Sequence, residues 1–112
     1  MTEQLGFDLS DAVISKLVVG AGRVELHVKD WREVEHLVLL EDVLLLEDHG
    51  VVGEDISHMS SSASDAPVQA ACERAEEEPA GYRCFSFFGA WPERPVLIVV
   101  AATVSSSDVE AV

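Results

Sequence analysis

Four histidines and two cysteines are the side chains with the clearest potential for metal or nucleophilic chemistry in this chain. They are His27, His36, His49, His58, Cys72 and Cys84. None stands at the C-x-x-C, H-x-H or H-E-x-x-H spacing that brings ligands together around zinc. We therefore expect the histidines to lie scattered on the surface, and we expect neither a metal nor another cofactor.

Nucleophilic catalysis has equally little support. The serines at 60–62 and 105–107 lie in polar segments, and the G-x-S-x-G elbow of hydrolases is missing. Cys84 stands in an aromatic segment, where burial would raise the pKa of its thiol and make it a poorer nucleophile. With no export signal and only two cysteines, both thiols are expected to be reduced and not disulfide-bonded. The sequence predicts a protein that is not an enzyme.

Carboxylates dominate the charge, because 21 acidic residues stand against 7 basic ones and give a net charge of -14. Such a surface repels phosphate backbones and anionic lipids, which argues against nucleic-acid and membrane-surface binding, and it attracts cations. Neighbours on a strand point to opposite faces, so neither Glu41-Asp42 nor Glu47-Asp48 forms one catalytic site. No D-x-[DN]-x-[DN]-G calcium loop is present. We predict that these four carboxylates bind a basic partner.

Aromatic residues cluster at one turn, Phe88-Gly89-Ala90-Trp91-Pro92. A large apolar group at a turn is either packed under a neighbouring loop or presented to a partner. Because aromatic side chains are favoured interface anchors, Phe88 and Trp91 are the candidate contacts of this segment.

An early part of the chain, residues 13–29, has the most regular pattern among the elements that position these residues. Residues 23–29 alternate polar and apolar without a fault, which is the period of a half-buried strand. Residues 13–19 before them are apolar and β-branched, and Gly20-Ala21-Gly22 supplies a turn between the two segments. The pattern predicts a hairpin over residues 13–29. Its second strand has Val24, Leu26 and Val28 inside, and Glu25 and His27 outside.

Residues 31–48 allow two interpretations. Asp30 followed by Glu33 imitates a helix capping box, and leucine and glutamate favour a helix. The apolar residues instead fall in two blocks, 37–40 and 43–46, and a helix carrying both would be apolar nearly all round. Two short strands joined at or near Glu41-Asp42 fit this segment better than one long helix.

The remaining segments complete a β-rich pattern. Residues 51–65 have the composition of a surface connection, and the spacing of Val68, Ala71, Cys72 and Ala75 predicts a short helix around 66–77. Asp65 would cap this helix, with Pro67 in its first turn. Residues 82–88 and 96–100 predict strands, the second in the middle of a sheet. The serine-rich tail is expected to fray from about residue 104.

These elements predict an α+β, β-rich fold, an antiparallel sheet or small sandwich with one short helix. The length of 112 residues suits one domain over residues 1–112. No apolar run approaches the roughly 20 residues that span a bilayer. The N-terminus lacks the basic and apolar regions of a secretory signal, so the expected location is the cytoplasm.

The order of the segments resembles that of small bacterial β-rich proteins that include immunity proteins of polymorphic toxin systems. The resemblance runs through residues 7–14, 24–28 and 37–43, and it returns in residues 82–87 and 96–100. It implies a compact antiparallel β domain and supplies no catalytic residues. Together with the charge, it leads us to expect a non-enzymatic, immunity- or antitoxin-like inhibitor of a basic toxin. The alternative is a self-associating structural or scaffold domain.

Overall fold

A computed structural model describes residues 9–63, 66–90 and 93–108 of the chain. Over these residues the chain forms an antiparallel eight-stranded sheet and one α-helix, which confirms the β-rich α+β prediction. The strands are β1 (Ala12–Gly20), β2 (Arg23–Lys29), β3 (Glu35–Glu41), β4 (Leu45–Asp48), β5 (Asp55–Ser62), β6 (Arg83–Gly89), β7 (Pro95–Ala101) and β8 (Thr103–Asp108). The helix α1 spans Ala66–Ala75, and a 3₁₀ turn spans Pro79–Gly81.

The predicted hairpin is confirmed as β1 and β2, which pair from Gly20 opposite Arg23 to Val13 opposite Lys29. Val24, Leu26 and Val28 on β2 are buried, while the residues between them are half-buried on the other face. Gly22 in the turn has a φ of 67°, a left-handed conformation that glycine adopts without steric cost. The alternation of side chains therefore decides which face of β2 enters the core.

The strand order is β4-β7-β6-β5-β1-β2-β3-β8. Buried residues from both ends of this order share one core, so the sheet bends into two halves. We call β1, β2, β3 and β8 the front half, and β4, β5, β6 and β7 the back half. Two segments cross between them, since β3 leads into β4 and β7 leads into β8 through Ala102. Because β3 pairs with β8 and β4 pairs with β7, these segments run side by side through the bend. The bend turns the inner faces of the two halves towards each other.

The main core lies between the two inner faces. Leu26 and Leu40 of the front half belong to the same buried cluster as Phe85 and Phe87 of the back half. β7 lies between β4 and β6 and has apolar residues on both faces, as predicted for a strand in the middle of a sheet. Its Val99 faces the core, and Val100 packs under α1.

α1 covers the outer face of the back half. Val68, Ala71 and Cys72 are buried on one side of the helix, where they pack against Cys84 and Val100. Ala75, the fourth residue of the predicted stripe, is exposed. The predicted cap, Asp65, lies outside the described residues, and the helix ends at Ala75, before the predicted boundary at residue 77.

The segment at 31–48 forms two strands, β3 and β4, which confirms the preferred interpretation over one long helix. The turn between them includes Asp42, as expected, but the two strands do not pair with each other. β3 joins the front half and β4 joins the back half. Each apolar block is therefore buried in a different half of the sheet. A single helix carrying both blocks could not bury them all.

Two predictions for serine-rich segments are wrong. Residues 51–65, expected to be a surface connection, contain β5, which pairs with β6 along its length. The tail, expected to fray from about residue 104, contains β8, which pairs with β3 as far as residue 108. Backbone hydrogen bonds to a neighbouring strand hold these segments, and such bonds do not require apolar side chains.

Candidate functional site

The predicted partner-binding residues Glu41 and Asp42 are exposed at the bend where β3 passes towards β4. Backbone hydrogen bonds hold the bend on two sides. Ala102 N donates to Glu41 O at 3.0 Å, and Val43 N donates to Gly22 O at 3.0 Å. Asp42 has a φ of 54°, a left-handed conformation that aspartate tolerates better than most residues. The two carboxylates are therefore held at the surface by a fixed backbone.

A second group of carboxylates lies at the C-terminal end of α1. Glu76 N donates to Glu73 O at 3.3 Å and Glu77 N donates to Cys72 O at 2.8 Å, the paired hydrogen bonds of a Schellman motif. Glu76 has a φ of 59° and occupies the left-handed position where glycine is usual. Residues 76–78 are all exposed glutamates, at the helix end that carries the negative pole of the dipole. Backbone conformation and charge are both unfavourable there.

Tyr82 connects these two groups of carboxylates. Its phenol is half-buried. Burial raises the pKa of Tyr82, and the negative charges of Glu77 and Asp42 raise it further, so both carboxylates lie near one hydroxyl. We call Glu41, Asp42, Glu76, Glu77 and Glu78 the acidic corner. None of the five forms a salt bridge with a cationic side chain of the described residues.

The other predicted pair, Glu47 and Asp48, has divided roles. Asp48 Oδ1 accepts hydrogen bonds from Gly50 N and Val51 N, each at 2.9 Å, as in an Asx turn. Its carboxylate therefore holds the turn that follows β4. Glu47 is exposed and lies on the same face of β4 as Leu45, which packs under α1. Glu47 thus lies on the helix side of the sheet.

Of the two predicted aromatic contacts, the structure describes Phe88. It is half-buried on β6, and its ring stacks on His58 of β5 with centroids 4.6 Å apart and an interplanar angle of 9°. Phe88 is therefore packed against a neighbouring strand with part of its surface exposed. Trp91 lies outside the described residues.

The two cysteines are buried in the cluster under α1, without a disulfide bond between them. Burial raises the pKa of the Cys72 thiol, and the charge of Glu77 raises it further. Among the residues described, no three His, Cys, Asp or Glu side chains are grouped so that they could hold a metal ion. The helices of the described segments are too short or too polar to cross a membrane.

A buried polar pair, Asp30 and His36, lies at the opposite end of β3 from the acidic corner and was not predicted. Each residue is only 4% exposed, so the prediction of a surface histidine is wrong for His36. His36 Nε2 donates to Asp30 Oδ2 at 2.8 Å, and Asp30 Oδ1 accepts from Arg32 N at 2.9 Å and Val34 N at 3.0 Å. Alternation along β3 was the available signal, because His36 shares a face with the buried residues at 38 and 40.

Further hydrogen bonds of the Asp30 backbone hold a turn that carries an exposed tryptophan. Asp30 N donates to Val34 O at 2.9 Å, and Glu33 N donates to Asp30 O at 2.8 Å. Trp31 is 63% exposed, and the Arg32 guanidinium carbon lies 5.6 Å from the centroid of its ring. This separation allows a cation–π interaction. The turn therefore holds an aromatic side chain in water on a fixed backbone.

The Asp30 carboxylate should make the fold sensitive to acid. The hydrogen bond from His36 is the main cause that lowers the pKa of Asp30, from 3.8 to about 2. Because the folded-state pKa is lowered, the ionised carboxylate stabilises the fold above about pH 4, and this stabilisation is lost as the pH falls towards about 2. Denaturant unfolding over this range should show a steeper acid loss for the wild type than for Asp30→Asn. Glu35→Gln, at an exposed position of β3, should keep the wild-type slope. An unchanged slope in Asp30→Asn would contradict the prediction.

Glu76→Gly is expected to stabilise the fold by about 1 kcal/mol, because glycine adopts the left-handed conformation without the steric cost of a side chain. Removing a carboxylate from the negative pole of α1 adds to the gain. For comparison, Glu73→Gly lies within the last turn of α1 and should destabilise by up to about 1 kcal/mol. Urea unfolding measures both changes, and a loss of stability in Glu76→Gly would argue against the helix-end geometry.

Comparison of this chain with known protein families, with curated proteins and with solved structures found no match. The acidic corner and the Asp30–His36 pair are therefore identified from the structure of this chain.

Proposed function

We propose that this protein is a non-enzymatic binding domain that captures a basic protein through the acidic corner. We further propose that the partner is a toxin, which this protein inhibits in the manner of an immunity protein or antitoxin. The observation that carries the proposal is the acidic corner itself. It places five exposed carboxylates at one bend and one helix end, without a salt bridge to a described cation.

Solubility alone would be served by carboxylates spread over the surface. In the acidic corner, three of them instead stand at the negative pole of α1, and Glu76 occupies a left-handed position that disfavours a side chain. Arrangements that reduce stability without compensation inside the chain are typical of functional sites. A cationic partner would supply the missing countercharge.

The carboxylates would act in two ways, first by long-range attraction before the partner binds and then by direct contact in the complex. At physiological ionic strength the field of a net charge of -14 reaches about one Debye length, roughly 8 Å, and speeds the encounter with a basic surface. In the complex, the carboxylates would contact the cations that a nuclease-like toxin uses for substrate phosphates, and the domain would occlude that site. Phe88 and Trp91 are the proposed apolar contacts that slow dissociation.

The test starts from the immobilised protein, exposed at low salt to an extract of its native host. The retained protein is identified by mass spectrometry, and its binding is then measured by stopped-flow fluorescence at two salt concentrations. We expect a basic protein whose association slows steeply with salt, whose dissociation changes little, and whose toxicity is lost in the complex. Retention of no basic protein, or association that salt does not affect, would contradict the proposal.

The alternative function, a self-associating structural domain, would use the outer face of the front half, which shares only Glu41 with the acidic corner. Self-association through the acidic corner itself is disfavoured, because it would bring like charges together.

A further inference from the structure

The outer face of the front half carries no second layer within the residues that the structure describes, whereas α1 covers the outer face of the back half. From the register of the strands, its central positions are Val18, Glu25, His27, Leu37 and Leu39. All five are half-buried. Outward positions are usually polar in an antiparallel sheet with one face in water. Three of these central positions are instead apolar.

The charges on this face are balanced, unlike those of the whole chain. Its outward positions include three cations and three carboxylates, namely Lys16, Arg23, Lys29, Glu25, Glu35 and Glu41. Two of them, Arg23 and Glu25, form a salt bridge at 2.8 Å. In a chain with a net charge of -14, a neutral face is where a second, equally acidic copy meets the least repulsion.

We infer that this face binds a second copy of the chain in a two-fold dimer. The symmetry axis runs parallel to β2 and β3 and lies between them, so that β2 of each copy covers β3 of the other. Lys29 and Glu35 are register partners within one sheet, as are Arg23 and Glu41. The rotation therefore places Lys29 opposite Glu35 of the second copy, and Arg23 opposite Glu41 of the second copy. An axis across the strands would instead set the cations of β2 against each other.

Sedimentation velocity over a concentration series, at low and at high salt, tests the dimer. We expect a dimer that strengthens as salt rises, because salt screens the repulsion between two copies of net charge -14 more than it weakens exposed ion pairs. This dependence is opposite in sign to that of binding a basic partner, so the dimer and the proposed function can fail separately. A monomer at every concentration and salt would overturn the inference.

Substitutions on the face provide the second readout. Leu39→Glu should raise the dimer dissociation constant about tenfold or more, because Leu39 is the register partner of Glu25 and the two-fold contact sets the new carboxylate opposite Glu25 of the second copy at two places. Ala70→Glu adds the same charge at an exposed position of α1 and should leave the dimer unchanged. Circular dichroism establishes that each variant is folded. Equal dimerisation by the two variants would exclude this face.

A charge exchange tests the orientation of the two copies. Lys29→Glu alone places like charges opposite each other at both symmetry-related positions and should weaken the dimer. Adding Glu35→Lys to the same chain restores opposite charges and should recover most of the affinity. If the double variant remains as weak as the single one, the proposed axis is wrong.

Discussion

Exchange of Asp42 and Glu77 together for lysine is expected to slow association with the basic partner about tenfold or more at low salt. These two carboxylates come from the bend after β3 and from the end of α1, and both act on the Tyr82 hydroxyl. Their replacement leaves three carboxylates and two cations in the acidic corner and so removes most of its negative charge. The dissociation rate should change less, because it depends mainly on short-range contacts. Stopped-flow fluorescence at two salt concentrations gives both rates.

Glu33→Lys with Glu93→Lys is the matched control. It makes the same change in net charge at two exposed positions, in the β2–β3 turn and before β7. If the acidic corner receives the partner, this double variant should slow association less than Asp42→Lys with Glu77→Lys. Equal slowing would show that net charge alone matters and would contradict a local binding surface. Thermal melting of both variants establishes that they are folded.

Substitutions at the other predicted contact residues should affect association, dissociation or stability differently. Reversal of Glu41 or Glu47 should mainly slow association, since both carboxylates are exposed. Asp48→Lys should also reduce stability, because Asp48 holds the turn at Gly50 and Val51. Trp91→Ala should mainly hasten dissociation if this residue is the apolar anchor. A Trp91→Ala complex that dissociates at the wild-type rate would remove Trp91 from the binding site.

Leu26→Ala is expected to destabilise the fold by roughly 2–5 kcal/mol, the range for truncating a buried leucine. Leu26 is fully buried on β2, within the cluster that joins the front and back halves of the sheet. Its loss leaves a cavity between two faces that the bend and the hairpin hold in place, so collapse is restricted. Urea unfolding followed by circular dichroism measures the free energy directly.

His27→Ala is the comparison on the same strand. His27 is half-buried on the outer face of β2, and its substitution should stay within about 0.5 kcal/mol of the wild type. The measurement belongs at low protein concentration, where a dimer through this face would not contribute. If the two substitutions cost the same free energy, the assignment of the inner and outer faces of β2 would be wrong.

Local patterns in the sequence were sufficient to predict several strands and the helix. Alternation at residues 23–29 identified the buried face of β2, and the two apolar blocks after residue 36 identified β3 and β4. The spacing of Val68, Ala71 and Cys72 identified the buried side of α1. In each case the signal is the side-chain period of one element, which can be read without knowing what the element packs against.

Apart from the pairing of β1 with β2, the sequence did not reveal which segments meet. β5 and β8 are rich in serine, and they are strands because β6 and β3 offer their backbone groups as partners. His36 is buried because β3 turns this face inwards, and there the Asp30 carboxylate accepts its N–H.

The acidic corner likewise depends on tertiary structure. The chain itself determined that acidic residues stand next to one another in short runs, such as Glu41-Asp42 and residues 76–78. Only the folded structure brings Asp42 and Glu77 within electrostatic range of Tyr82, because α1 packs on β6 and β7 while the bend after β3 is hydrogen-bonded to Ala102. Charge is a property of each residue, whereas the field of a charged surface depends on distances that long-range packing sets.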